Sequence, residues 1–224
     1  AHMAVSTSSS DEPQGLLRIS CAQSLAQSVL AGAVSQYLRR YPQTAVDLQT
    51  SNHAVNLIEE RIDLAVRITN TLDPAMITRP LARCRSMLCA SPDYLQRYGL
   101  PLAVDDLRQH RWIAHAFGIG KQYRLTRNGE TVIVPVNWHF HTNETAVVRR
   151  AALCGAGIGM LPTYCLEDDL RTGRLVHLLP DYEPDVMGIH AIYLSRQHQP
   201  LALRLLVDFL VARFAGETAP WDRI

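Results

Sequence analysis

AALCGAGIGMLP, residues 151–162, preceded by Asn143-Glu144-Thr145, is the stretch on which the fold turns. Its first half continues an apolar helical pattern that starts at Thr145. Its second half, 158–161, is a short apolar strand that stops at Pro162. Between them stand Gly155, Gly157 and Gly159, the residue type a chain needs where it turns sharply or approaches another element closely. A helix that ends in glycine and feeds a buried strand is the α-to-β corner of an α/β sandwich.

The N-terminal third repeats that logic. Residues 16–21 read as a buried strand. Leu25, Val29, Leu30, Ala33, Val34, Tyr37 and Leu38 follow helical spacing, with Pro42 beyond the stop. Residues 45–50 alternate as a strand, 55–60 read as a short helix, and 62–68 as a further buried strand. Strand and helix in alternation predict βαβ units on a parallel sheet. Residues 76–90 are long and extended enough to run between two lobes. Strands follow at 112–115, 123–126 and 132–136, the last two flanking the hairpin signal Asn128-Gly129. Helices are expected at 92–98, 145–154 and 163–171. Residues 188–194 make a second crossing, and 201–214 close the chain as an amphipathic helix. Two crossings imply two lobes, one inserted into the other: 15–88 with 192–215, and 89–191. Residues 1–14 read as a cloning scar (Ala1-His2-Met3) and a Ser-rich lead-in, and 216–224 as a tail.

Composition narrows the function. The 224 residues carry a formal net charge of +1, so neither a basic stripe nor an acidic face is available to recruit a polyion. Lys121 is the only lysine, which codon bias explains more simply than a set of anion clamps. Five cysteines at irregular spacing, without a CxxC pair, argue for a reducing compartment, hence a cytoplasmic protein. No stretch reads as a membrane span or a signal peptide. Catalytic signatures are missing too: there is no GxSxG, HExxH or P-loop, and the 155–159 glycines follow a helix, the wrong order for a phosphate-binding turn. His139 and His141 share a strand face, but two ligands without a third do not make a metal site. No cofactor is expected. Cys21 near a helix start is expected to be packed and inert rather than redox-active.

Several segments, in order, resemble the effector-binding domain of LysR-type transcriptional regulators, and the resemblance covers nearly the whole chain after Pro13. They are Pro13-x-Gly15-x-Leu17-Arg18-Ile19-Ser20, Leu38-Arg39-Arg40-Tyr41-Pro42, Leu57-Ile58 through Asp63-Leu64-Ala65-Val66-Arg67, Ala90-Ser91-Pro92-x-Tyr94-Leu95, Asp106-Leu107-x-x-His110, and the glycine corner. Arg61 and Thr69 stand where the family usually has glycine. Nothing in the chain resembles the family's winged helix-turn-helix. The resemblance implies two Rossmann-like α/β lobes joined by two crossover strands, of the type II periplasmic-binding-protein kind. It also implies a regulatory domain that takes a small effector between the lobes. It further implies a homodimer of regulatory domains, paired through the first helix and the 145–154 element, and a tetramer when full length. Operator DNA would be met only through the missing N-terminal domain.

At the expected cleft, strand ends meet helix starts, whose free N–H groups suit a small anion. Ser24 stands at the first such junction, either as a plain cap or, as the resemblance implies, as a donor to an effector carboxylate; Gln23 precedes it. Thr50, Ser51, Asn52 and His53 follow the second strand. His115 and Phe117 would form the opposite wall with Asn143, while Glu144 would repel an anion unless it faces away. Hydroxyls and histidines suit a small organic acid. Two other classes compete. An extracytoplasmic solute-binding protein shares the architecture, but unpaired cysteines and the lack of a leader oppose it. An enzyme on this scaffold, of the tetrapyrrole deaminase type, needs a cofactor cysteine and cleft arginines that are not seen in the sequence.

Overall fold

The computed structural model describes residues 12–53, 55–116, 122–194, 199–216 and 218–222. Strand β1 (Gly15–Cys21) runs through the middle of the first sheet, its Leu17, Ile19 and Cys21 side chains buried on one face. It lies parallel to β2 (Thr44–Thr50) and β3 (Leu64–Ile68), while β13 (Met187–Tyr193) pairs antiparallel with β3 and with β4 (Ile77–Cys84). The sheet order is β2-β1-β3-β13-β4. Helix α1 begins as Gln23–Leu25, passes through a π-helical turn at Ala26–Leu30 and continues as Ala31–Arg40. Its Leu25, Leu30, Val34 and Tyr37 pack on β1 together with Leu203, Leu206 and Leu210 of the closing helix α5 (Leu201–Phe214). The Tyr37 hydroxyl donates to the Ala202 carbonyl at 2.8 Å, so even the polar end of this core residue is satisfied.

The second lobe holds a sheet ordered β11-β5-β10-β6-β9: β5 (Ser86–Ala90), β6 (Trp112–His115), β9 (Trp138–Thr142), β10 (Ile158–Pro162) and β11 (Val176–Leu178). One face carries α3 (Thr145–Leu153), packed through Val148 and Ala152 on Ile113 and Leu161. The other face buries Trp112, Leu88 and Ile158 against Tyr94 of α2 (Pro92–Tyr98) and a small sheet of β7 (Gln122–Arg127), β8 (Glu130–Pro135) and β12 (Glu183–Pro184). Asn128 and Gly129 turn the β7–β8 hairpin with φ of 51° and 82°, as the sequence predicts. Helix α4 (Glu167–Arg171) follows a 3₁₀ turn at Thr163–Cys165, so the helix expected at 163–171 is split in two.

The glycine corner divides its work. Gly155 sits at φ 75° and ends α3 in a Schellman motif, with Gly155 N–H donating to Ala152 and Ala156 N–H to Ala151. At Gly157 a Cβ would lie 2.5 Å from the Arg111 carbonyl oxygen, so the close approach of β6 excludes any side chain.

Two expectations are corrected. Residues 55–60 form turns rather than a helix: Asn56 Oδ1 accepts from the N–H groups of Ile58 and Glu59, competing with helical bonds. Arg61, where the family usually has glycine, does adopt the left-handed backbone, at φ 55°. The chain also changes sheets between Cys84 and Ser86 and returns between Pro184 and Met187, ahead of the boundaries expected at 88/89 and 191/192.

Candidate functional site

The carboxyl ends of β1, β2 and β3 face those of β6 and β9 across the gap between lobes. α1 and α3 both start there, and neither cap position, Ala22 or Glu144, carries a side-chain cap. Ser24 therefore is not the cap of α1. It lies inside the first turn, buried, and its Oγ is 2.9 Å from the hydroxyl of Tyr164, which arrives from the other lobe just after β10. Burial pushes the Tyr164 phenol far above its ordinary pKa, so this hydroxyl stays protonated. Gln23 opens the helix half-buried. Beside this contact is a cavity of about 300 Å³ between the lobes, lined by Ser24, Gln27, Thr145, Arg149, Tyr164 and Asp168 among others.

The β2 loop forms the other half of the site. Thr50 and His53 are exposed. The Ser51 N–H donates to the Cys21 carbonyl at 2.9 Å, and its Oγ accepts from His53 N–H at 3.2 Å. Asn52 reaches across the gap: its Nδ2 donates to the Asn143 carbonyl at 3.1 Å and to the Glu144 carboxylate. Glu144 thus faces the opposite lobe. On the far wall, His115 at the end of β6 has its Nε2 3.3 Å from Thr145 Oγ1, which links this half of the site to the cavity. Phe117, the other residue expected on that wall, lies outside the described residues.

Arg67 is a further residue of this cleft, one that the sequence pattern does not single out. It ends β3 with Nη2 donating to Ser20 Oγ at 2.7 Å and Nη1 to the Ser51 carbonyl at 3.1 Å. Both partners are neutral, and no carboxylate pairs with it among the described residues. Desolvation draws its pKa below the usual arginine value, with Cys21 and Glu60 pulling the other way. A signal was present, since Arg67 is the one charged residue in the apolar run Leu64–Ile68. Cys21 is fully buried and its thiol is pushed up to about 12 by desolvation, as befits a packed residue. All five cysteines are free.

His110, His115, His177 and His190 all have lowered pKa values, with burial the first cause. For His115 the Glu144 charge opposes the shift and His141 adds to it. A histidine held neutral in the fold binds its proton later than in the unfolded chain, whose pKa is about 6.5. Stability is therefore full above about pH 6.5 and falls as the pH drops toward the folded-state values. The urea midpoint is expected to be lower at pH 5.5 than at pH 7.5, and an unchanged midpoint would contradict the burial of these rings.

Hydroxyls, amides, the Arg67 guanidinium and two helix starts converge between lobes of the periplasmic-binding-protein kind, the architecture of a small-molecule-binding domain. The model of the LysR substrate binding domain matches residues 10–215, and the chain belongs to that family, the effector-binding domain of LysR-type transcriptional regulators. It is 30% identical over 204 residues to the HTH-type transcriptional activator AaeR of Escherichia coli K12, covering 90% of this chain and 66% of that protein. Against the activator TtdR of the same strain it is 30% identical over 207 residues, covering 89% and 65%. The chain thus spans about two thirds of the length of these curated relatives, both of them transcriptional activators. The CrgA regulatory domain of Neisseria meningitidis superposes with a TM-score of 0.82 at 27% identity, over 91% of this chain and 100% of that one. Full-length AphB of Vibrio cholerae gives 0.80 at 28%, over 90% and 69%. Among the described residues no helix is long and apolar enough to cross a membrane.

Proposed function

We propose that this domain senses a small organic anion between its lobes and, in the full-length regulator, sets how an oligomer presents its DNA-binding heads to the operator. Arg67 carries this reading. Among the described residues this desolvated cation bonds to a hydroxyl and a carbonyl and forms no salt bridge, Glu60 acting on it only at longer range, so it keeps N–H donors that a carboxylate would pair with directly. Ser51, Thr50 and the uncapped starts of α1 and α3 would surround it, with Gln23, Ser24, Asn52, His53, His115, Phe117 and Asn143 as the remaining wall. Binding would shift the lobes' relative orientation, and a dimer built on α1 and α3 would pass that shift on. The protein that holds such a domain would work in the cytoplasm, where its operator is.

A thermal-shift screen against small carboxylates, sulfonates, phenols and amines tests the reading. A ligand at a hundred times its dissociation constant adds about 2.7 kcal/mol. Carboxylates are expected to raise the melting point of the wild-type chain and to lose most of that effect in Arg67→Gln and Thr50→Ala. Stabilisation by amines alone would overturn the anion reading.

A further inference from the structure

The cleft carries charges of both signs, on opposite lobes. Arg67 stands at the end of β3, and its Nη1 holds the carbonyl of Ser51 at 3.1 Å. The next residue, Asn52, spans the gap to Glu144 at the start of α3. Positive and negative groups are thus separated by one residue of the β2 loop and one side chain. Neither forms a salt bridge among the described residues, although Glu60 favours the Arg67 charge from beyond ion-pair distance. The Glu144 side chain instead accepts one neutral bond from Asn52. His115 on that wall feels the Glu144 charge, but burial, the larger effect, draws its pKa down.

From this polarity we infer that the effector is an acid bearing a hydrogen-bond donor, a hydroxyl or an ammonium, at its far end, and that Glu144 excludes diacids. The inference rests on the anion reading of the same cleft and adds the second end of the ligand. The carboxylate end would occupy the N–H groups that Arg67 leaves unused. The donor end would take over the Glu144 oxygen that Asn52 now bonds. Ligand binding is then an exchange. Asn52 gives up a contact between lobes, and the ligand, touching both, replaces it with a stronger one. A second carboxylate at the same place would meet Glu144 as a like charge in a partly desolvated gap, where repulsion is costly.

The test is a calorimetric titration of this chain with four end-group series on short carbon chains of increasing length: the bare acid, the terminal hydroxy acid, the terminal amino acid and the diacid. At the best length the hydroxy or amino acid is expected to bind at least about tenfold more tightly than the diacid. Glu144→Gln, nearly isosteric, should narrow that preference by about the same factor, mainly through gained diacid affinity, while Arg67→Lys should weaken all four series. Ligand-free melting curves check that both variants fold. Equal affinity for the diacid, or a preference that Glu144→Gln leaves untouched, overturns this inference and leaves the anion reading standing. Silence from every acid overturns both.

Discussion

Removing both arginines that face Asp169, in the double variant Arg149→Ala/Arg174→Ala, is expected to cost about 3–5 kcal/mol. Asp169 lies on α4 with its side chain fully buried. Arg149 of α3 meets one carboxylate oxygen through Nε, and Arg174, in the turn before β11, meets the other through Nη2 at 2.8 Å. Three segments of the second lobe are therefore pinned on one anion. The exposures of the partners decide where the cost falls. Arg149 and Arg174 are 34% and 55% exposed, so each reaches water once the carboxylate is gone. Asp169 has no such escape. Asp169→Ala is accordingly expected to cost about 1–2 kcal/mol, clearly less than stripping both its partners. Urea titrations of the three proteins read this difference directly. A double variant no less stable than Asp169→Ala would mean that the two arginines do not compensate the burial of this side chain. The consequence reaches the site, because Arg149 lines the interlobe cavity and α3 begins at the Glu144–Thr145 pair.

How far the sequence reveals this molecule depends on whether the deciding contact is local. The α3–β10 corner was legible because its constraints act within a few residues: a left-handed backbone at Gly155 and a strand pressed against Gly157. The Asn128-Gly129 hairpin and the β1–α1–β2 alternation were legible for the same reason. The 55–60 segment misled because its apolar spacing mimics a helix while Asn56 diverts two backbone donors. Nothing in the composition of Ala26–Leu30 marks a π-helical turn. β11 and β12 are too short to announce a period. At the site, the residue types at strand ends could be listed from the sequence, but their partners could not. Ser24 and Tyr164 are 140 positions apart, and Asn52 and Glu144 are 92 apart. The sequence shows that the direction of Glu144 matters; only the fold shows that it points across the gap. Arg67 is hidden in the sequence because it sits inside a strand motif and its partners, Ser51 and Ser20, lie 16 and 47 positions away.

Tyr164→Ala is expected to destabilise the chain by about 3–5 kcal/mol, as a deleted core aromatic does. The residue belongs to the second lobe by position, directly after β10, yet its ring is 6% exposed and packs in the core of the first lobe. Trp221 meets it edge-on at 6.2 Å between centroids. Losing the ring therefore opens a cavity at the junction itself, and the unfolding transition should broaden as the lobes lose their common core. Tyr164→Phe separates the hydroxyl from the ring. It keeps the packing but leaves the buried Ser24 hydroxyl without its 2.9 Å partner, at a cost of about 1–2 kcal/mol. Ser24→Ala/Tyr164→Phe should recover much of that loss, since neither polar group then remains to be satisfied. The same pair decides whether Ser24 touches the effector. Its hydroxyl is bonded to Tyr164, so an acid that recruits Ser24 must first break that bond. Tyr164→Phe would then raise the affinity for the acid while Ser24→Ala lowers it. If neither variant changes the affinity, Ser24 is a strut between the lobes, and the acid is held on the Arg67 side of the gap alone.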